Sequence, residues 1–96
     1  MISLKEPVEF EWDEANQDKN WKKHKVSISE AEEVFLDKRK KISKDFFHSE
    51  TEDRYILIGM TKSERALLVI FTRRKDKVRV ISARDLNKRE QFLLHI

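Results

Sequence analysis

The chain predicts an α+β fold: an antiparallel sheet of about four strands, with two N-terminal helices and a C-terminal helix packed on it. Three observations carry this. Apolar residues run at period two, or unbroken, through residues 54–60, 66–72 and 78–83, and the connections between these runs are only a few residues long. Such short links suit antiparallel hairpins rather than crossovers. Helix-start signals stand before the stretches 14–24 and 30–36, and again near the C-terminus. Ninety-six residues make a single domain, so sheet and helices have to share one core.

In chain order, residues 2–12 alternate, with Ile2, Leu4, Val8, Phe10 and Trp12 on one side, and Pro7 limits this segment to a sheet edge. Asp13 is placed to cap a helix over residues 14–24, with Glu14 favourable in its first turn. The apolar face of that helix is thin, Ala15 and Trp21, whereas Asn16, Asn20, Lys23 and His24 share one polar side. Ser29 and Glu32 form the expected capping box of a second helix over residues 30–36, which turns Ala31, Val34 and Phe35 inward. Lys38 to Lys41 read as a solvated basic turn. Residues 41–48 are the weakest strand, and Gly59 marks a bulge or a close approach in the strand 54–60. The run Ala66 to Thr72 reads as a central strand. Asp85 or Asn87 caps the last helix, with Glu90 three residues after Asn87. Trp12, Trp21, Phe46, Phe47, Phe71 and Phe92 are assigned to the core, the usual place for aromatics in a chain of this size.

Composition narrows the function classes. There is no cysteine, which excludes disulfides and thiolate zinc sites. No apolar run approaches the roughly 20 residues of a membrane helix, and the first ten residues lack a signal-peptide core, so no membrane partner and a cytoplasmic location are expected. Charge is uneven. Residues 1–18 carry one lysine against six carboxylates, and residues 62–96 carry ten Lys or Arg against four carboxylates. The basic half suits a polyanion.

The run Val78-Arg79-Val80-Ile81-Ser82-Ala83-Arg84 places two guanidiniums along one strand, just after Arg73 and Arg74. Arginine presents a planar fork of donors that matches phosphate oxygens. Asn20-Trp21-Lys22-Lys23-His24 adds an imidazole, which moves protons near neutral pH. His48 and His95 stand at no metal-ligand spacing with His24, and neither a metal nor another cofactor is expected.

These residues resemble a known family. Phe10-Glu11-Trp12-Asp13, then Asn20, Lys23-His24 and Val26, then Gly59, and finally Val78 to Arg84 with Arg89-Glu90 are similar to the BrnT toxins, the ribonuclease halves of bacterial type II toxin–antitoxin pairs. The likeness spans about residues 8 to 92. It implies a RelE-like fold and a metal-independent endoribonuclease that slows translation. It further implies a cognate BrnA-type antitoxin with a DNA-binding domain, and a complex that binds its own promoter DNA. Two positions depart from the family pattern: Asn16 stands where lysine is frequent, and Lys25 where glycine usually follows the histidine.

Metal-free RNA cleavage needs a group to take the 2′-OH proton, cations for the phosphorane and an acid for the leaving 5′-oxygen. The catalytic assignment is His24, Lys23, Arg74 and Arg84; Arg79, Arg73, Lys22 and Asn20 are assigned to RNA binding. Each has a plainer reading. His24 can serve the last carbonyls of its helix, and Arg84 can pair with Glu90 or Asp85. Arg79 and Arg84 are an odd number of residues apart, so a regular strand would turn them to opposite faces. They reach one site only if a bulge or the strand end intervenes. The rival reading is a non-catalytic nucleic-acid-binding or antitoxin-docking module.

Overall fold

The structure, a computed structural model, describes Leu4, residues 8–46 and residues 52–95. The expectations placed on Ile2, Pro7, Phe47 and His48 lie outside the described residues. Strands β1 (Glu9–Glu11), β2 (Lys41–Lys44), β3 (Arg54–Met60), β4 (Ala66–Arg74) and β5 (Lys77–Asp85) form one sheet in the order β1-β5-β4-β3-β2. Helices α1 (Glu14–His24) and α2 (Ile28–Glu33) follow β1, a 3-10 turn over Val34–Leu36 extends α2, and the short α3 (Lys88–Gln91) and a second 3-10 turn follow β5.

The sheet is mixed and five-stranded where an antiparallel sheet of about four was expected. The three hairpin pairings among β2 to β5 are antiparallel. The difference is β1, which runs parallel to β5 with Phe10 beside Val78. That pairing joins segments nearly seventy residues apart, so no turn chemistry announces it; it forms because Phe10 docks on Phe35, ring centroids 5.0 Å apart.

One sheet face carries the core. Leu57, Leu67, Val69, Phe71, Val78, Val80 and Ala83 are buried against Val26, Ala31, Val34 and Phe35. Phe35 also meets Phe71 edge-on at 5.2 Å, and Tyr55 stacks on Phe71 at 5.5 Å. Removing one such buried ring costs on the order of 3–5 kcal/mol. Gly59 is a close approach: a Cβ there would stand 3.1 Å from the Val34 carbonyl oxygen.

Asp13 caps α1 as expected, accepting from Ala15 N at 2.8 Å and Asn16 N at 3.4 Å. The capping box of α2 is Ser27 with Glu30, not Ser29 with Glu32. Two overlapping S-x-x-E patterns compete in this sequence. Glu32 is withdrawn from capping because it accepts the Trp12 indole N–H at 2.8 Å. Asn87 and Glu90 form the expected box of α3.

Helix α1 borders the outer edge of β5 rather than lying on the core. β1 covers that edge only as far as Arg79, which leaves the Ala83 N–H without a strand partner. Asn20 Oδ1 accepts it at 3.2 Å. The polar side of α1 is therefore the side turned to the sheet. Asn20 is 2% exposed, whereas its neighbour Trp21 is 52% exposed and lies under the Lys25 ammonium. Phe46 and Phe92 are likewise exposed, so three of the aromatics assigned to the core lie outside it. Phe46 lies two residues beyond the end of β2, and α3 is too short to fold Phe92 back onto the sheet.

Asn20→Ala should lower stability by about 1–3 kcal/mol, the penalty for stranding a buried backbone donor. Urea unfolding would show it, and an unchanged midpoint would mean that another group satisfies Ala83.

Candidate active site

Between Ile70 and Phe71 the β4–β5 register slips: Ile70 faces Ser82 but Phe71 faces Val80, leaving Ile81 as the extra residue of a bulge. A bulge reverses the alternation beyond it. Arg79 stands opposite Thr72, Arg84 opposite Leu68, and Arg74 opposite Lys77. Directly opposed residues share a face, so Arg74, Lys77, Arg79 and Arg84 all project from the side of the sheet away from the core. The odd separation of Arg79 and Arg84 is compensated by the bulge.

Sharing a face does not bring them to one point. Arg74 lies six residues along β4 from the partner of Arg84, about 20 Å at roughly 3.3 Å per residue. Arg79 falls between them. Arg84 and Arg74 therefore cannot hold the same phosphate, though a single strand of RNA laid along the face can meet them in turn. Arg73 is on the other side of the pleat, its guanidinium over the Tyr55 ring at 4.8 Å and donating to the Tyr55 hydroxyl at 3.1 Å.

These arginines are engaged with protein groups. Arg84 binds Glu90 through two parallel bonds of 2.7 and 2.8 Å, and donates to the Asp85 carbonyl at 3.1 Å. Arg79 reaches Asp13 at 2.7 Å, and Arg74 lies 3.8 Å from Glu52. The Arg84 fork holds the Glu90 carboxyl below its usual range, against the opposing effect of burial. Asp13 is lowered by the Ala15 and Asn16 amides, with Arg79 adding to them.

His24 ends α1 half-buried, and its carbonyl is tied through Arg65 to Asp85 at the end of β5. Lys25 follows it in the left-handed region, φ 55°, ψ 38°, and its N–H donates to the Trp21 carbonyl at 2.9 Å. Lys25 thus adopts the backbone for which glycine is favoured, at a cost of roughly 1–2 kcal/mol. Lys22 makes an exposed pair with Asp18 at 3.5 Å, of the kind worth little. Lys23 is exposed. Asn20, expected at the RNA, is buried against Ala83 and presents no donor to solvent.

Sequence reasoning missed Arg65. Its guanidinium gives Nε–H to Asp85 at 2.6 Å, and Nη2 to Asp85 and to the His24 carbonyl at 3.0 Å each. Nη1 goes to the Lys25 carbonyl at 2.8 Å and to Glu30 at 3.0 Å. Its partners lie 20 to 41 residues away along the chain, so no local pattern marks it. The Arg65 hydrogen bonds hold the Asp85 carboxyl below its usual range against burial, and the charges of Arg65 and His24 add to this. Burial raises Glu30, but bonds from the Ser27 N–H and from Arg65 outweigh it and leave its carboxyl lowered.

Among the described residues no cluster of three or more His, Asp or Glu is placed to hold a metal ion, and no helix is long and apolar enough to cross a membrane. A concavity of about 700 Å³ lies between α1 and the start of α2, where Glu14 and Asp18 line it. That charge suits no phosphate, and the basic face lies elsewhere.

The family model described as "Ribonuclease toxin, BrnT, of type II toxin-antitoxin system" matches residues 12–90. Among solved structures, the chain is similar to the crystal structure of the Brucella abortus ribonuclease toxin BrnT. The TM-score is 0.67 at 25% identity, over 84% of this chain and 99% of that one. No curated protein matches.

Lowered carboxyls carry stability that is present above their unfolded pKa, near 4, and is lost as pH falls through their folded values. The urea midpoint should therefore drop between pH 6 and pH 3, and Asp85→Asn should shrink that drop. An equal drop in the variant would separate Asp85 from the acid sensitivity.

Proposed function

Because the chain belongs to the BrnT family of ribonuclease toxins of type II toxin–antitoxin systems, we propose that it is a metal-independent endoribonuclease whose reaction centre is the His24–Arg84 end of β5. One observation carries the reading. Asp85 joins the two groups: its backbone carbonyl accepts from Arg84, and its carboxylate shares the Arg65 guanidinium with the His24 carbonyl. In this reading a proton-transfer group and a phosphate-binding fork act together at that strand end.

In this reading the 2′-OH of the RNA loses its proton to His24 as its oxygen attacks phosphorus. The P–O5′ bond breaks, the leaving oxygen takes a proton from water, the protonated His24 returns its proton to the hydroxide so formed, and a 2′,3′-cyclic phosphate remains. Arg84 neutralises the crowded phosphorane, with Lys23 contributing charge beside it. DNA lacks the attacking hydroxyl and is spared. Arg79 and Arg74, spaced along the same face, hold successive parts of the strand, and Arg73 and Lys22 add long-range attraction. Asn20 leaves the RNA-binding set and holds α1 to β5.

A type II toxin implies an RNA target and an antitoxin. The antitoxin is of the BrnA type in this proposal. It brings carboxylates to the basic face, as Glu90, Asp13 and Glu52 already do within the chain, and it carries the complex to promoter DNA. The whole chain acts as one RelE-like toxin domain in the cytoplasm, where cutting RNA slows translation.

A second reading, a module that binds RNA without cutting it, draws support from the pairing of Arg84, Arg79 and Arg74 with acids. A phosphate has to displace Glu90 to reach both nitrogens of Arg84.

The deciding assay is cleavage of a labelled single-stranded RNA in EDTA. Wild type should cut; His24→Ala should lose roughly 10²–10⁴-fold and Arg84→Ala about 10²–10³-fold. RNA bound but never cut would establish the binding module instead. Glu90→Gln should tighten RNA binding several-fold in a fluorescence titration at fixed salt, and equal affinity would show that Glu90 does not compete with phosphate.

A further inference from the structure

Arg65 differs from every other arginine of the basic half. A guanidinium has five N–H donors, and all five of its own are used within the protein. Its side chain is 25% exposed, between Arg79 at 22% and Arg84 at 36%, so the full use of its donors sets it apart, not its burial. No donor remains for an RNA phosphate unless the clasp opens. Arg65 is therefore not a further phosphate ligand, although it lies in the most basic part of the sequence.

Its targets define its work. Two are the successive carbonyls of His24 and Lys25, the peptide groups on either side of the left-handed residue. Binding both fixes the planes through which the chain leaves α1, and so the direction in which the last helical side chain is delivered. The third target is Asp85 at the end of β5, its carboxylate held by two bonds in a fixed plane. The fourth is Glu30 of the α2 capping box, which anchors the guanidinium from the far side. Lys25 makes this hold necessary. A glycine would occupy φ 55° at no cost, whereas lysine resists it and has to be kept there.

We propose that Arg65 is the positioning residue for His24: it fixes the αL turn at Lys25 and the Asp85 carboxylate, and acts on RNA cleavage only through the imidazole. This rests on the reading of His24 as the proton-transfer group. Lysine cannot replace it, because an ammonium has three donors and no planar fork.

The test compares wild type, Arg65→Lys, His24→Ala, Lys25→Gly and the Arg65→Lys/Lys25→Gly double variant, at a temperature where circular dichroism reports each as folded. Arg65→Lys should lower kcat for RNA cleavage at least tenfold while KM changes less than threefold. Its Lys25 amide should exchange with deuterium at least tenfold faster, with the Val69 and Val80 amides as protected as before. In the double variant, glycine at position 25 should restore at least fivefold of the lost kcat. A loss confined to KM would make Arg65 an RNA ligand and overturn the proposal. So would a protected Lys25 amide, or faster exchange at Val69 and Val80 as well, which would show a merely structural role. A wild-type rate in His24→Ala would remove the role of His24 itself. Full activity in Arg65→Lys beside an inactive His24→Ala would remove the positioning alone.

Discussion

The structure depends on one side chain that closes three distant parts of the chain around itself. Arg65 stands one residue before β4 and ties the end of α1, the start of α2 and the end of β5 into a single knot. A charged hydrogen bond contributes roughly 1.5–3 kcal/mol in a protein, discounted here because the group is about a quarter exposed. Even so discounted, five bonds to one planar group fix directions that five separate bonds would leave free. Helix α1 contributes little apolar surface, since Asn20 is its one buried residue. Its place beside β5 rests on the Asp13–Arg79 pair at its start, on Asn20 in its last turns and on Arg65 at its end.

The bulge at Ile81 is the second constraint, and it divides the labour of β5. Before it, Val78 and Val80 face the core; beyond it, Ala83 does, and the slip keeps both sets on one side. The arginines then fall together on the other. Without the extra residue, Ala83 and Arg84 would exchange faces, and a guanidinium would have to enter a core packed to 0% exposure at Val80 and Val69. Burial on one side and charge on the other are thus a single decision. The carboxylates that meet those arginines lower the field of the free protein and hold each fork in an extended pose. This trades affinity for orientation, because a phosphate arriving at Arg84 finds it already splayed for two parallel bonds.

What the sequence discloses follows the distance over which each feature is determined. Asp13 and Asn87 are legible as caps because the amides they serve lie within three residues, and the hairpins are legible from their short links. The choice between Ser27 and Ser29 is not, because it turns on Trp12 claiming Glu32 from twenty residues away. The exposure of Trp21 follows from α1 lying at the sheet edge, which no helical periodicity encodes. Of the candidate site, His24 and Arg84 are legible by chemical type. The acids that hold Arg79 and Arg65 are not, being 66 and 20 residues away.

Lys25 shows how the site holds a lysine in a backbone conformation that favours glycine. The geometry that glycine would provide freely is retained: the residue is left-handed, its N–H closes on Trp21, and both flanking carbonyls are bound. The strain is offset by groups outside the turn, Arg65 at the carbonyls and Trp21 beneath the lysine ammonium at 5.3 Å. A lysine at this position therefore does not release the turn. It makes the turn conditional on the clasp, and the pose of His24 depends on a residue forty-one positions further along the chain.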